Sequence, residues 1–289
     1  MHQIENNYLK IRARESGAEL TSLFDKKHNI EHLWQADPGF WAWHAPVLFP
    51  VVGRCMNDEL VIDGRKYPMV KHGFARNAVF SLLELGSSRM VFSLKWNDEL
   101  LKVYPYRFEF LIGYRLNDNR LTITYEVVNR DDKNVYFQVG GHPAFAVPFL
   151  NNEDYGDYYL EFERSEEANR HYINEDGYFD GRTAVAVANS NTIGLKPNMF
   201  RDDALIFKSL QSRRVTIRSK NHPHYVSVDF NGFNYLGLWA KMNAPYVCIE
   251  PWLGCADTAG APVDIKEREG IVALPPAGEF SVSYNIEVG

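Results

Sequence analysis

The chain has 289 residues and 45% hydrophobic content, enough to bury a large core without disulfide staples or a structural metal. A formal net charge of -6 and a pI near 5.9 exclude the clustered Lys/Arg surface that nucleic acid requires, so a neutral ligand fits better than a polyanion. The start MHQIENNYLK carries no signal-peptide pattern and no run approaches about 18 apolar residues, which predicts a cytoplasmic protein with neither membrane nor nucleic-acid partner, as a monomer or homodimer.

Along the chain the apolar residues recur mostly with period two. YLKIRARE (8–15), LVIDGRKY (60–67), RMVFSLKW (89–96), YRFEFLIGYRL (106–116) and RLTITYEVV (120–128) alternate apolar with polar and predict strands with one wet face. RRVTIRS (213–219), HYVSVDF (224–230) and EFSVSYNIEV (279–288) continue the pattern. Turn signals separate them: DG at 63–64, NDN at 117–119, NRDDKN at 129–134, NG at 231–232 and PPAG at 275–278. The only helix candidates are Asn97–Val103 and a turn near Glu166–Asn169. No Pro/Gly/Ser-rich linker divides the chain and no strand–helix alternation appears, so the expected fold is all-β, a large antiparallel sandwich forming a single domain over 1–289.

Several chemistries lack their signatures. There is no G-x-x-x-x-G-K-[ST], G-x-G-x-x-G, G-x-S-x-G or H-E-x-x-H. Cys55, Cys248 and Cys255 form no CxxC pair and read as buried thiols, so neither a disulfide framework nor a zinc site is expected. The pair His222 and His224 reads as a turn before a strand, since no carboxylate or cysteine stands at metal-ligand spacing.

Polar residues in unusual settings remain: His72 and Arg76 in KHGFAR, His142 in GGHPAF, Asp202 and Asp203 in FRDDALIF, Glu250 and Trp252 in VCIEPWLG. Each lies next to Gly or Pro at the end of a strand-like segment, where loops on a rigid scaffold carry binding and catalysis. Two histidines and a glutamate so placed suit general acid–base chemistry. Gly140 and Gly141 should let the chain turn freely, and Pro143 should bias His142 toward extended backbone.

KHGFAR, GGHPAF, FRDDALIF, IEPW and the closing LPPAGEFSVSYNIEV together resemble the aldose 1-epimerases (galactose mutarotases), most closely their LacX-like branch, over nearly the whole chain. The resemblance implies a β-supersandwich and anomer exchange on a free hexose such as galactose or glucose, without cofactor. Matched by motif, it implies His142 as general acid and Glu250 as general base. It places Arg54 of VVGRCMND, His72 and Asp203 on the sugar hydroxyls, although Gly53 stands where the family has Asn. Trp252 or Phe74 is the candidate to stack on the sugar. A carboxylate beside His142 should hold the imidazolium near or above its usual pKa of about 6.5. Two alternatives accompany this expectation. One is a hexose 6-phosphate mutarotase using Lys71 or Arg76; the other is a sugar-binding or sensing protein that has lost turnover. A glycoside hydrolase is disfavoured because the implied pair is a histidine and a carboxylate.

Overall fold

The period-two segments all form strands in the computed structural model, which describes residues 1–289. Strands Glu59–Ile62 and Arg65–Pro68 pair through Ile62 and Arg65, leaving Asp63-Gly64 as a two-residue loop with φ 50° and 75°. Positive φ at both loop positions matches the right-handed twist of the flanking strands. The strands Phe108–Asn117 and Arg120–Asn129 are also joined by a two-residue loop, 118–119, with positive φ at Asp118 alone (51°). A helix forms at Asp98–Leu101, where the Asn97 side chain accepts from the Glu99 and Leu100 amides. The turn expected at 166–169 is instead part of the 16-residue strand Tyr158–Ile173, which pairs with Phe179–Gly194 as a long hairpin. Buried Glu166 there accepts from the Gln211 and Ser212 amides, so its carboxylate anchors the next segment rather than breaking the strand.

Fifteen strands belong to one antiparallel sheet whose main path runs from Val47–Leu48 at one edge to Ser81–Leu85 at the other. The sheet curls so that its two halves face each other. Phe49, next to the first edge, stacks on Phe110 of the opposite half at 4.3 Å. A Cβ on Gly141 would lie 2.8 Å from the Tyr284 hydroxyl and 2.9 Å from that of Tyr125, both across the core. A cluster of 71 buried residues, from Ile4 to Val288, fills the space between the layers. The antiparallel sandwich expected from the periodicity is thus the observed architecture. No helix is long and apolar enough to cross a membrane.

A second cluster lies on the other face of the same strands and includes Leu48, Ile206, Tyr235 and Trp252. Alternation explains the division. On the strand Tyr246–Leu253 every residue through Ile249 joins the main core; beyond it Leu253 stays in that core while Glu250 and Trp252 point to the opposite face.

Candidate active site

The sheet register assembles the centre. Gly140 pairs with Trp252 and Ala144 with Cys248 across antiparallel strands, which sets His142 directly opposite Glu250. Opposed residues in such a ladder share a face, so two side chains 108 positions apart meet as a cross-strand pair. Nε2 of His142 lies 3.1 Å from Oε2 of Glu250, yet the carboxylate oxygen has no aligned hydrogen-bond partner. On the far side Glu250 faces Gly237, whose missing side chain leaves room for the Trp252 ring; a Cβ there would sit 2.7 Å from it. Gly140 is held by the same constraint, with its would-be Cβ 2.7 Å from Trp252 Cδ1. Neither Gly140 nor Gly141 has positive φ. These glycines therefore serve close packing, not the free turning expected of them.

The pair lines a cavity of about 270 Å³ shared with Lys71, His72, Arg76, Asp203 and Trp252. His72 sits in left-handed backbone at φ 68°, a conformation that costs a β-carbon residue of order 1–3 kcal/mol. Reciprocal bonds with Gly53 hold it there: the His72 amide donates to Gly53 O at 2.7 Å, and the Gly53 amide donates to His72 Nδ1 at 3.1 Å. Burial, reinforced by Lys71, lowers its pKa well below 6.5 and keeps the ring neutral. Because Nδ1 accepts, the ring proton sits on Nε2 and His72 offers the cavity a fixed donor.

Asp203 also adopts left-handed backbone, at φ 63°, and Arg170 secures that turn. The Arg170 guanidinium donates to the carbonyls of Asp202, Asp203 and Ala204 at 2.8, 3.2 and 3.0 Å. Asp203 thereby lines the cavity, while Asp202 points to the outer groove beside Arg201. Arg76 lies over the Trp43 ring and donates to Lys71 O. Neither Arg76 nor Lys71 has a carboxylate partner within ion-pair distance.

Electrostatics at the centre reverse one expectation. Burial pushes the Glu250 carboxyl well above its ordinary value, with Lys71 opposing and Asp203 adding to the rise. Burial also lowers the His142 imidazole to about 3, and the cations Lys71 and Arg76 push the same way. The imidazole is thus not held charged near or above 6.5. In the resting cavity both groups are neutral, with one proton on the pair. Cys248 completes a buried cluster with His142 and Glu250, and burial keeps its thiol protonated.

Two sequence-matched residues lie elsewhere. Arg54 does not line the cavity: Gly53 at φ 72° turns the chain, and the Arg54 fork engages Asp58 at 2.7 and 2.6 Å. Its remaining hydrogen bond is to Asp176 O at 2.9 Å and it lies over the Tyr178 ring, so it pins the tip of the long hairpin, whose Ile173, Gly177 and Phe179 form the cavity rim. Phe74 packs on Phe49, Tyr104 and Phe108 in the core rather than at the cavity. His222 and His224 do lie in a turn before the strand Tyr225–Asp229, with His222 bonded to Glu153 at 2.9 Å.

Trp41 and Trp239 escaped the sequence reading. Trp41 stacks on the His142 ring at 4.9 Å and 29°, and Trp239 meets it edge-on at 5.8 Å and 86°. They fix the imidazole plane and supply apolar walls. The available signal was FWAWH (40–44), an aromatic cluster between Pro38 and Pro46 with neither helical nor strand period.

Residues 1–259 match the family described as aldose 1-epimerase. The chain is 33% identical to the plasmid-encoded protein LacX of Lactococcus lactis subsp. lactis, over 99% of this chain and 98% of that protein. Among solved structures, a galactose mutarotase related enzyme from Lactobacillus acidophilus is 36% identical with a TM-score of 0.95, covering 100% of this chain and 97% of that one. A galactose mutarotase-like protein from Lactobacillus casei is 31% identical with a TM-score of 0.94, with 100% of each chain covered.

Proposed function

The chain belongs to the aldose 1-epimerase family, and we propose that its cavity interconverts the α and β anomers of a free hexose such as galactose or glucose. The observation that carries this reading is the 3.1 Å separation of His142 Nε2 and Glu250 Oε2 in the wall of a sugar-sized cavity. Two groups so close can address two oxygens bonded to one carbon, which is what ring opening asks for. Glu250 takes the proton from the C1 hydroxyl, the bond from C1 to the ring oxygen breaks, and His142 delivers a proton to that oxygen. The aldehyde turns about C1–C2 and the steps reverse. Because the resting pair is neutral, the Glu250 proton first passes to His142 at a cost set by burial; opening then converts the carboxylate and imidazolium back into the carboxylic acid and neutral imidazole that burial favours. Each transfer is worth about 10² to 10⁴ in rate. His72 Nε2–H, Arg76 and Asp203 hold the hydroxyls, and Trp252 offers an apolar face. A second reading, a hexose 6-phosphate, draws on Lys71 and Arg76, which line the cavity without acidic partners.

Polarimetry or NMR anomer exchange on freshly dissolved α-glucose and α-galactose tests the reading. Faster relaxation than in matched buffer is expected; an unchanged rate for both sugars, with exchange of a hexose 6-phosphate, moves the assignment to the second reading. No exchange with any of them leaves only sugar binding.

Arg54 and Arg76 separate in the same assay. Arg54 is half-buried outside the cavity and satisfied by Asp58, so Arg54→Ala should leave kcat/KM within about threefold of wild type. Arg76→Ala removes a charged donor from the cavity and should raise KM by about tenfold or more. Equal losses from both would return Arg54 to the binding set.

A further inference from the structure

We propose that the His142–Glu250 pair, together with the Cys248 thiol behind it, forms a site for a borderline-soft divalent cation such as Zn²⁺, which stops turnover by occupying both proton-transfer atoms. The cation site stands on the geometry of these three side chains and holds whichever sugar the cavity takes.

The sheet register that pairs His142 with Glu250 also delivers the thiol. Cys248 lies two residues before Glu250 on the strand Tyr246–Leu253, so both side chains leave one face of that strand. A ring nitrogen of His142, Sγ of Cys248 and a carboxylate oxygen of Glu250 all lie within 4.8 Å of one another. Bonds of about 2.0 Å to nitrogen and oxygen and about 2.3 Å to sulfur put tetrahedral ligand atoms about 3.3–3.7 Å apart. His142 Nε2 and Glu250 Oε2, at 3.1 Å, are already close to that spacing, and Sγ has to close by no more than about 1 Å. A second observation points the same way. Glu250 is 1% exposed and its Oε2 has no hydrogen-bond partner, so a buried acceptor at the centre of the cluster lacks the positive group it calls for.

Charge and donor type select the ion. On coordination the thiol releases its proton to solvent, and so does the histidine–glutamate pair. A thiolate, a carboxylate and a neutral imidazole then balance one divalent cation, so no net charge is buried. Nitrogen, sulfur and oxygen donors suit Zn²⁺ or Cd²⁺, whereas Mg²⁺ and Ca²⁺ call for shells of oxygen. His142 and Glu250 line the cavity, which gives the ion its way in. The other two thiols are poor competitors: Arg268 donates to Cys55 Sγ at 3.1 Å and to Cys255 O at 3.2 Å, and its charge repels a cation. No zinc spacing shows in the sequence because the ligands come from facing strands rather than from one loop.

The test uses chelator-washed, thiol-reduced protein with Cd²⁺, Zn²⁺ and Mg²⁺ as probes. Cd²⁺ should bind one to one with an ultraviolet sulfur-to-metal charge-transfer band, and Zn²⁺ should compete for the same site. Zn²⁺ should also abolish anomer exchange on the sugar turned over fastest, with activity restored by EDTA, while Mg²⁺ at the same concentration does neither. Cys248→Ala should remove the band and raise the Zn²⁺ concentration for half-inhibition, measured against the variant's own metal-free rate, by about 100-fold or more. Should the alanine variant fail to fold, Cys248→Ser keeps the volume and should also remove the band. Absence of the band at a modest molar excess of Cd²⁺ overturns the proposal, as does a band that survives loss of Cys248. Equal inhibition by Zn²⁺ in wild type and the Cys248 variants overturns it too, and assigns the effect to imidazoles outside the cavity such as His28 and His224, whose ring centroids are 4.4 Å apart. If no sugar is exchanged, the free-hexose reading fails by itself and the Cd²⁺ titration still decides the site.

Discussion

Glu250→Gln should lower kcat/KM for anomer exchange by about 10³-fold to 10⁴-fold, because the amide keeps the shape of the carboxyl and cannot take the C1 hydroxyl proton. Glu250 is 1% exposed and stands between Gly237 and His142, so the isosteric change leaves the walls in place. The same variant reports on the buried acid through stability. Its folded pKa lies above that of the unfolded chain, so its favourable contribution is complete below the ordinary carboxyl value and is lost as pH rises through the folded value. Wild type should therefore lose thermal stability relative to Glu250→Gln as pH rises above the ordinary carboxyl value of 4.5, since the amide does not titrate. Kinetics by NMR exchange and melting curves across a pH series check the two halves. Retention of more than a tenth of wild-type activity would remove Glu250 as the base, whatever the melting curves show.

What could be read in advance and what could not divide along physical lines. Strand positions follow from period-two burial, and hairpins such as Asp63-Gly64 follow from turn chemistry, because both are local. His142 and Glu250 were recognisable by motif, but the reason they meet is a register between Gly140 and Trp252, which depends on distant pairing. Arg54 shows the limit of motif matching. One residue earlier, Gly53 at φ 72° redirects the chain, and Asp58 captures the guanidinium. Gly140 and Gly141 were legible as required glycines, yet the constraint is the Trp252 ring on one face and two tyrosine hydroxyls on the other. Arg170 reaches the Asp203 turn from a strand more than 30 residues away, a contact that no local pattern encodes. The imidazole pKa differs from the expectation for a related reason: the neighbouring carboxylate is visible in the motif, whereas the burial and the two cations Lys71 and Arg76 are not.

That correction carries the second large prediction. With His142 lowered to about 3 and Glu250 raised, the free enzyme keeps one proton on the pair across a wide interval. After subtraction of the buffer-catalysed rate, kcat/KM should stay nearly level from about pH 5 toward neutrality and fall on the acid side with an apparent pKa of about 3. Below that point a second proton occupies the pair and neither group is left to accept the C1 hydroxyl proton. His142→Asn should lower kcat/KM by about 10² to 10⁴, since the ring oxygen must then leave without a proton donor. The variant also carries a stability signature with a definite sign. A buried imidazole with a depressed pKa contributes fully above the unfolded value of 6.5, and its contribution is lost as pH falls toward about 3. His142→Asn should therefore lose less stability than wild type over that interval. An acid limb centred between about pH 6 and pH 7 would mean that the free enzyme holds its proton on the imidazole. The ion pair would then be the resting state, and ring opening would need no prior proton shift within the pair.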